Sequence, residues 1–445
     1  MSRHNGKPNA SKSYTRQLHR AIGALLPHQG LRLLPLNAKE RWTPRYLVIV
    51  ALLMSCLGVD VLADRFQTAR CALVKMYLTR RRPGRTYQGF AYALQHVSDA
   101  LLRELIGHLR LKTRQIAPEL WLIEGWLVFG CDGSRFDKTR TTANKEAFGR
   151  GGRQKTGPQQ FLTTLFHVGT GLPWCWQAGN ADASERHQLR QMLGELPPKA
   201  LLLLDAGYTG YDLLRDVMTS GRSFIVRVGA SVELLDHLGW HYRRESKGMV
   251  YLWPKQAQQR EHPPLTLRLV SVFDAKGRQM HLLTSVLDRS KLSDAAVRKM
   301  YRLRWGVELL FRAIKQTMQL RKARSWTPQA AGQELQWGMM GVWMLGLLAL
   351  QEQCRLCGSD DAPTRPWSAA NVLRVIRRTI RGSLGRGPSL ARLLRKAIQD
   401  GYARRKSKKA IDWPHKKREK PPGHPKRRNA TKAEIQAARN LAVAA

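Results

Sequence analysis

The chain has 445 residues, 43% of them hydrophobic, which is too long for one small domain and too apolar for a fibrous or wholly disordered protein. Lys and Arg number 76 against 32 Asp and Glu, a formal net charge of +44. Such an excess repels itself and normally meets a polyanion, so nucleic acid is the expected partner, with a generically basic or ribosome-associated protein as the alternative.

The Met1 end is polar and basic and lacks the layout of a secretory signal. Two apolar runs, residues 46–59 and 337–350, fall short of the roughly 20 residues that span a bilayer. Both read as buried helices, so no membrane partner is expected and the expected location is cytoplasmic, associated with the nucleoid. Cys354 and Cys357 have metal or redox spacing, but no second Cys/His pair lies near them to complete a tetrahedral zinc site.

In chain order, a short helix is predicted over residues 15–26 and a helical region over 44–111. That region is broken by Arg80-Arg81-Arg82-Pro83-Gly84-Arg85, a turn that can lie on a phosphate backbone or simply be solvated. At Trp126 the texture changes. Residues 126–131 form an apolar run ending on Asp132-Gly133-Ser134, and residues 161–168 and 172–177 flank a Gly-Thr-Gly turn as a hairpin. A helix over 184–194, a buried strand over 200–204 running into Asp205, a helix over 209–219 and a strand over 224–228 complete an α/β sheet. Both aspartates are expected where a strand ends. Residues 229–288 are mostly β, with a hairpin around Asp274-Ala275-Lys276-Gly277, and read as an insertion. A long helix, capped by Ser293 or Asp294, is predicted to run to about residue 320. Residues 404–428, basic and broken by Pro414, Pro421, Pro422 and Pro425, are expected to be flexible.

On the long helix, Tyr301, Arg304, Glu308 and Lys315 fall within roughly 60° of one another at about 100° per residue. Leu303, Val307, Leu310, Ile314 and Met318 form the adjoining apolar face. Glu308 is the sole acid between Asp294 and Glu334. Carboxylates at the ends of neighbouring strands can converge, and a helix across the sheet can bring Glu308 to Asp132 and Asp205. Three such oxygen donors suit Mg²⁺. Asp137 is a rival to Asp132 as the first acid. Ser134 has no evident His partner, which argues against a serine nucleophile.

The spacing Tyr301-x2-Arg304-x3-Glu308-x6-Lys315 resembles the Tyr-Arg-Glu-Lys motif of one branch of DDE insertion-sequence transposases, and Asp132 and Asp205 look like the two aspartates of that triad. The resemblance implies an α/β fold: an RNase H-like catalytic core with a β-rich insertion and a helical N-terminal DNA-binding domain. It sets the expected boundaries at 1–115 for the DNA-binding region, 120–228 and 291–400 for the core, 229–290 for the insertion and 401–445 for the tail. It implies that Asp132, Asp205 and Glu308 ligate Mg²⁺ (two ions, with Mn²⁺ as a substitute), and that Tyr301, Arg304 and Lys315 grip phosphates. An aromatic of the insertion, Trp253 or Trp240, would stack on a flipped base. The implied activity is binding of terminal inverted repeats, cleavage at the element's ends and transfer of 3′-hydroxyls to target DNA. The implied partners are double-stranded DNA and a second copy in a homodimeric synaptic complex. The alternative is an inactive DNA-binding regulator that has kept the fold.

Overall fold

The computed structural model describes residues 10–27, 29–32, 41–58, 61–77, 82–151, 157–240, 248–273, 277–356, 367–385, 387–398 and 423–444. Arg80, Arg81, Cys357, residues 274–276 and the tail up to residue 422 lie outside the described residues.

Four helices come first: α1 (Ala10–Leu25), α2 (Pro44–Ser55), α3 (Leu62–Met76) and α4 (Tyr87–Ile116). Thr43 caps α2, its hydroxyl accepting the N–H of Tyr46, and Pro44 occupies the first turn, where its missing donor costs nothing. Every residue of α2 from Tyr46 to Ser55 is buried, so this apolar run is a core helix. Among the described residues no helix is long and apolar enough to cross a membrane.

The α/β part follows as β1 (Val128–Asp137), α5 (Thr142–Phe148), β2 (Gln159–His167), β3 (Leu172–Gly179), α6 (Glu185–Met192), β4 (Leu201–Leu204), α7 (Tyr211–Thr219) and β5 (Ser223–Val228). Then come β6 (Glu233–Asp236), β7 (Met249–Leu252), α8 (Lys255–Gln259), β8 (Leu265–Phe273) and β9 (Gln279–Thr284). The chain closes with α9 (Asp294–Leu303), α10 (Gly306–Arg312), a π turn (Ala313–Thr317), α11 (Pro328–Leu356), α12 (Ala369–Arg381), α13 (Leu390–Ile398), β10 (Lys426–Asn429) and α14 (Lys432–Ala444). The strands make one ten-stranded sheet in the order β10-β6-β7-β8-β9-β5-β4-β1-β2-β3. Strands β1, β4 and β5 are mutually parallel, whereas β2 runs antiparallel to β1 and β9 antiparallel to β5.

Strand alternation separates the two faces of the central sheet. Val128, Leu201, Leu203 and Ile225 pack on Val297, Met300 and Tyr301 of α9. Phe129, Leu202, Leu204 and Phe224 pack on Leu189 of α6 and Leu214 of α7. The fold is therefore mixed α/β, with helices on both faces of its centre.

The β-rich stretch read as an insertion extends the central sheet, because β9 pairs directly with β5. Three features depart from the sequence expectations. Helices α1 to α4 share one hydrophobic core with α10 to α13 and do not pack as an independent unit. The long helix is interrupted: α9 ends at Leu303 with Arg304 as its cap, α10 begins at Gly306, and Lys315 sits on a π turn. A Cβ at Gly306 would lie 2.8 Å from the Phe166 ring, so this interruption seats backbone where a side chain has no room.

The C-terminal segment from residue 423 is docked rather than flexible. Strand β10 pairs with β6, Arg427 reaches Asp236 at 2.7 Å, and Arg428 bridges Glu233 and Glu434 at 2.7 and 2.8 Å. His424 meets His281 of β9 at 2.6 Å, and Ala438 of α14 is buried in the sheet's core. Two arginines that read as part of a solvated basic run thus find acids on an otherwise unpaired sheet edge.

Candidate active site

Strands β1 and β4 pair in parallel with Gly130 opposite Leu203. Two residues further along each chain stand Asp132 and Asp205, so the register sets the two carboxylates side by side beyond the end of β4. Asp132 lies within β1 rather than at its end, because the strand continues to Asp137 on its antiparallel pairing with β2 after β4 has stopped. Its Oδ1 accepts the N–H of Gly133 at 2.9 Å. Asp205 leaves β4 and caps a short turn, its Oδ1 accepting the N–H of Gly207 at 2.8 Å. Helix α10 packs on β1 and carries Glu308, whose Oε1 lies 3.3 Å from Nη2 of Arg304.

The electrostatics tie these groups together. Burial, with the charges of Asp205 and Glu185, pushes the Asp132 carboxyl up to about 6 against the lowering effects of the Gly133 N–H and Arg304. Burial disfavours the Arg304 guanidinium, yet Tyr301, Asp205, Asp132 and Glu308 around it more than offset this and hold its pKa above the ordinary value. A single cation therefore stands in the field of all three acids. Among the described residues no three His, Cys, Asp or Glu side chains are close enough, as arranged, to hold a metal ion. Carboxylate oxygens from three separate elements, facing one guanidinium, are the donor type that a hard divalent cation takes.

Lys315 donates to Ser134 Oγ at 2.5 Å, two residues from Asp132, and its ammonium lies 4.8 Å from the centre of the Phe136 ring. Burial and Arg321 pull it down to about 8. Tyr301 is placed differently from the expected phosphate grip. It is only 7% exposed, packed on the sheet with the Arg304 guanidinium 5.8 Å from its ring centre, and burial pushes its hydroxyl up to about 12. Its position suits it to support Arg304.

Trp253 lines one wall of a cavity of about 560 Å³ that also takes in Ala206, next to Asp205. It is 3% exposed and its Nε1 donates to the carbonyl of His262 at 2.7 Å, while Trp240 is 6% exposed. Both indoles are taken up by the core of the β-rich region. Asp137 is committed elsewhere: it accepts from Gln159 Nε2 at 2.8 Å and pairs with Arg321 at 3.5 Å. One acid near the site escaped the sequence reading. Glu185, in the first turn of α6 behind the cap Ser184, lies in the field of Asp205 and Asp132, and burial and Asp205 raise its pKa. An acid in a first helical turn is commonplace, and nothing in the sequence marked this one.

Residues 132–344 match the family model described as "Transposase DDE domain". The match begins at Asp132 and spans Asp205 and Glu308. Transposase InsG for insertion sequence element IS4, of Escherichia coli (strain K12), is 29% identical over 234 residues, 50% of this chain and 51% of that protein. The chain thus spans about half the length of this curated relative. A piggyBac transposase, solved as a synaptic complex with hairpin DNA, aligns with a TM-score of 0.40 and 9% identity over 90% of this chain and 81% of that one. Residues 132–344 are therefore similar to transposase DDE domains, and the curated relative that shares about half its length with this chain is an IS4 transposase.

Proposed function

We propose that the chain is a DNA transposase that binds the terminal inverted repeats of an insertion sequence, cuts at its ends and transfers the 3′-hydroxyl ends to target DNA. The observation that carries this reading is the register of β1 on β4, which sets Asp132 beside Asp205 under a guanidinium that also pairs with Glu308. The strand order β3-β2-β1-β4-β5, antiparallel then parallel, with α6 and α7 on one face, supports an RNase H-like core over 120–228 and 291–400. Residues 229–290 are its β-rich insertion and residues 1–115 the DNA-binding region, now as part of a shared core. A homodimer in the synaptic complex belongs to the same proposal.

Asp132, Asp205 and Glu308 would hold Mg²⁺, with two ions expected and Mn²⁺ as a substitute. A cation held by these three residues would supply Lewis-acid activation of an attacking hydroxyl and charge stabilisation at the leaving oxygen. The chain's own residues supply the rest. Arg304 exchanges its contact with Glu308 for a phosphate oxygen and so orients the phosphodiester, with Tyr301 fixing its direction from below. Lys315 offers a second cation from the other side, held by Ser134 and the Phe136 ring. A bound phosphate would restore the charge that burial weakens in Lys315.

Arg304→Ala and Lys315→Ala are expected to weaken engagement of the transposon end roughly tenfold or more, and random duplex of equal length by much less. Gel-shift titrations on end-containing and random DNA, with cleavage of the end-containing DNA followed in parallel, test this. Equal losses on both would make the two residues generic electrostatic contacts, and absence of metal-dependent cleavage by the unmodified chain would overturn the reading as a whole.

A further inference from the structure

Helix α12 carries basic residues that the site above does not use. The chain from 362 to 399 contains no Asp or Glu and nine Arg or Lys. Val372, Leu373, Ile376 and Ile380 turn inward to the core, which leaves Arg374, Arg378 and Arg381 exposed on the opposite side. Arg377 secures the helix by donating through Nε to the carbonyl of Cys56, at the end of α2, at 2.6 Å. Between α12 and the π turn lies an open groove of about 470 Å³ whose walls include Gln316, Thr317, Arg374, Arg378 and Arg381. Gln316 and Thr317 directly follow Lys315, so the groove starts where the catalytic segment ends. Lys75 of α3 reaches the far end of α12 beside Gly382.

A basic helix end has an ordinary explanation, since Arg378 and Arg381 in the last turn complement the helix dipole. That account does not extend to Arg374, which lies mid-helix. It also leaves Arg374 and Arg378 as like charges at i,i+4, an arrangement that destabilises a helix. From Arg374 to Arg381 the helix rises about 10 Å, the axial rise of about three nucleotide steps on one strand at roughly 3.4 Å per step.

We propose that this groove seats the sugar–phosphate backbone of duplex DNA as it runs on from the scissile phosphate, with Arg374, Arg378 and Arg381 as its phosphate contacts. The inference rests on the transposase reading and assigns α12 to the DNA-contacting surface of that enzyme. It is tested with the full chain carrying Arg374→Gln, Arg378→Gln and Arg381→Gln together, beside the same three positions changed to Lys. Affinity for a random-sequence duplex is measured across salt concentrations, with circular dichroism and thermal unfolding to establish that each variant is folded. The Gln variant is expected to bind at least about tenfold more weakly, with the slope of log affinity against log salt reduced by about 2 to 3, and the Lys variant to keep the slope. Wild-type slope in a folded Gln variant, while the unmodified chain binds and cuts DNA, overturns the groove assignment alone. No DNA binding or cleavage by the unmodified chain overturns the reading beneath it. A reduced slope on single-stranded RNA with none on duplex DNA would assign the groove to another polyanion and also overturns the proposal.

Discussion

Replacing Asp132, Asp205 or Glu308 singly by Ala is expected to lower cleavage of end-containing DNA by at least about a thousandfold, while affinity for the same DNA stays within about threefold. The two effects separate because the acids oppose DNA binding electrostatically and serve only the chemistry. Each acid comes from a different element: Asp132 from β1, Asp205 from the turn after β4 and Glu308 from α10. None is a substitute for another. Asp137→Ala provides the comparison, since Asp137 is engaged by Gln159 and Arg321 further along β1, and it should cut at close to the normal rate. Near-normal cleavage by any of the three Ala variants would remove that residue from the centre.

The second large effect is expected at a residue with no functional group of its own. A Cβ at Gly133 would lie 2.4 and 2.7 Å from two atoms of the Phe161 ring and 2.8 Å from Glu185 Oε1. Phe161 is buried, with the Arg135 guanidinium 5.1 Å from its ring centre, so the ring has little freedom to retreat. Gly133→Val must therefore shift β1 next to Asp132. Overpacking of this kind costs about 1–3 kcal/mol, and displacing a reacting group by an ångström costs about a hundredfold in rate. Thermal unfolding and end cleavage of the same variant check both. A melting temperature and rate equal to those of the unmodified chain would show that the strand yields without moving its acid.

Much of the site's chemistry was legible in the sequence because strong local signals carried it. Four leucines running into Asp205, and an apolar run into Asp132, announced two buried strands, and the isolation of Glu308 among bases marked it. Hairpin β2–β3 and the pair β8–β9 followed from alternation and turn residues. What the sequence hid depends on partners distant in the chain. The interruption at Arg304 and Trp305 follows from the approach of Gly306 to Phe166, which helical periodicity does not register. The docking of β10 depends on Glu233 and Asp236, nearly two hundred residues away, so its arginines read as a solvated run. The burial of Trp253 and its hydrogen bond to the carbonyl of His262 likewise depend on packing that an indole in a β-rich stretch does not announce. Glu185 reaches the acids through tertiary packing alone.

Iron-directed backbone cleavage tests, without reference to DNA chemistry, whether Asp132, Asp205 and Glu308 face one cation site. The full chain is loaded with Fe²⁺ in place of Mg²⁺, exposed to ascorbate and peroxide, and its fragments are mapped by mass spectrometry. Cuts are expected to cluster near all three acids, to be suppressed by excess Mg²⁺ and to be absent in Asp205→Asn. Cuts confined to one of the three segments, or placed elsewhere in the chain, would contradict a shared cation site.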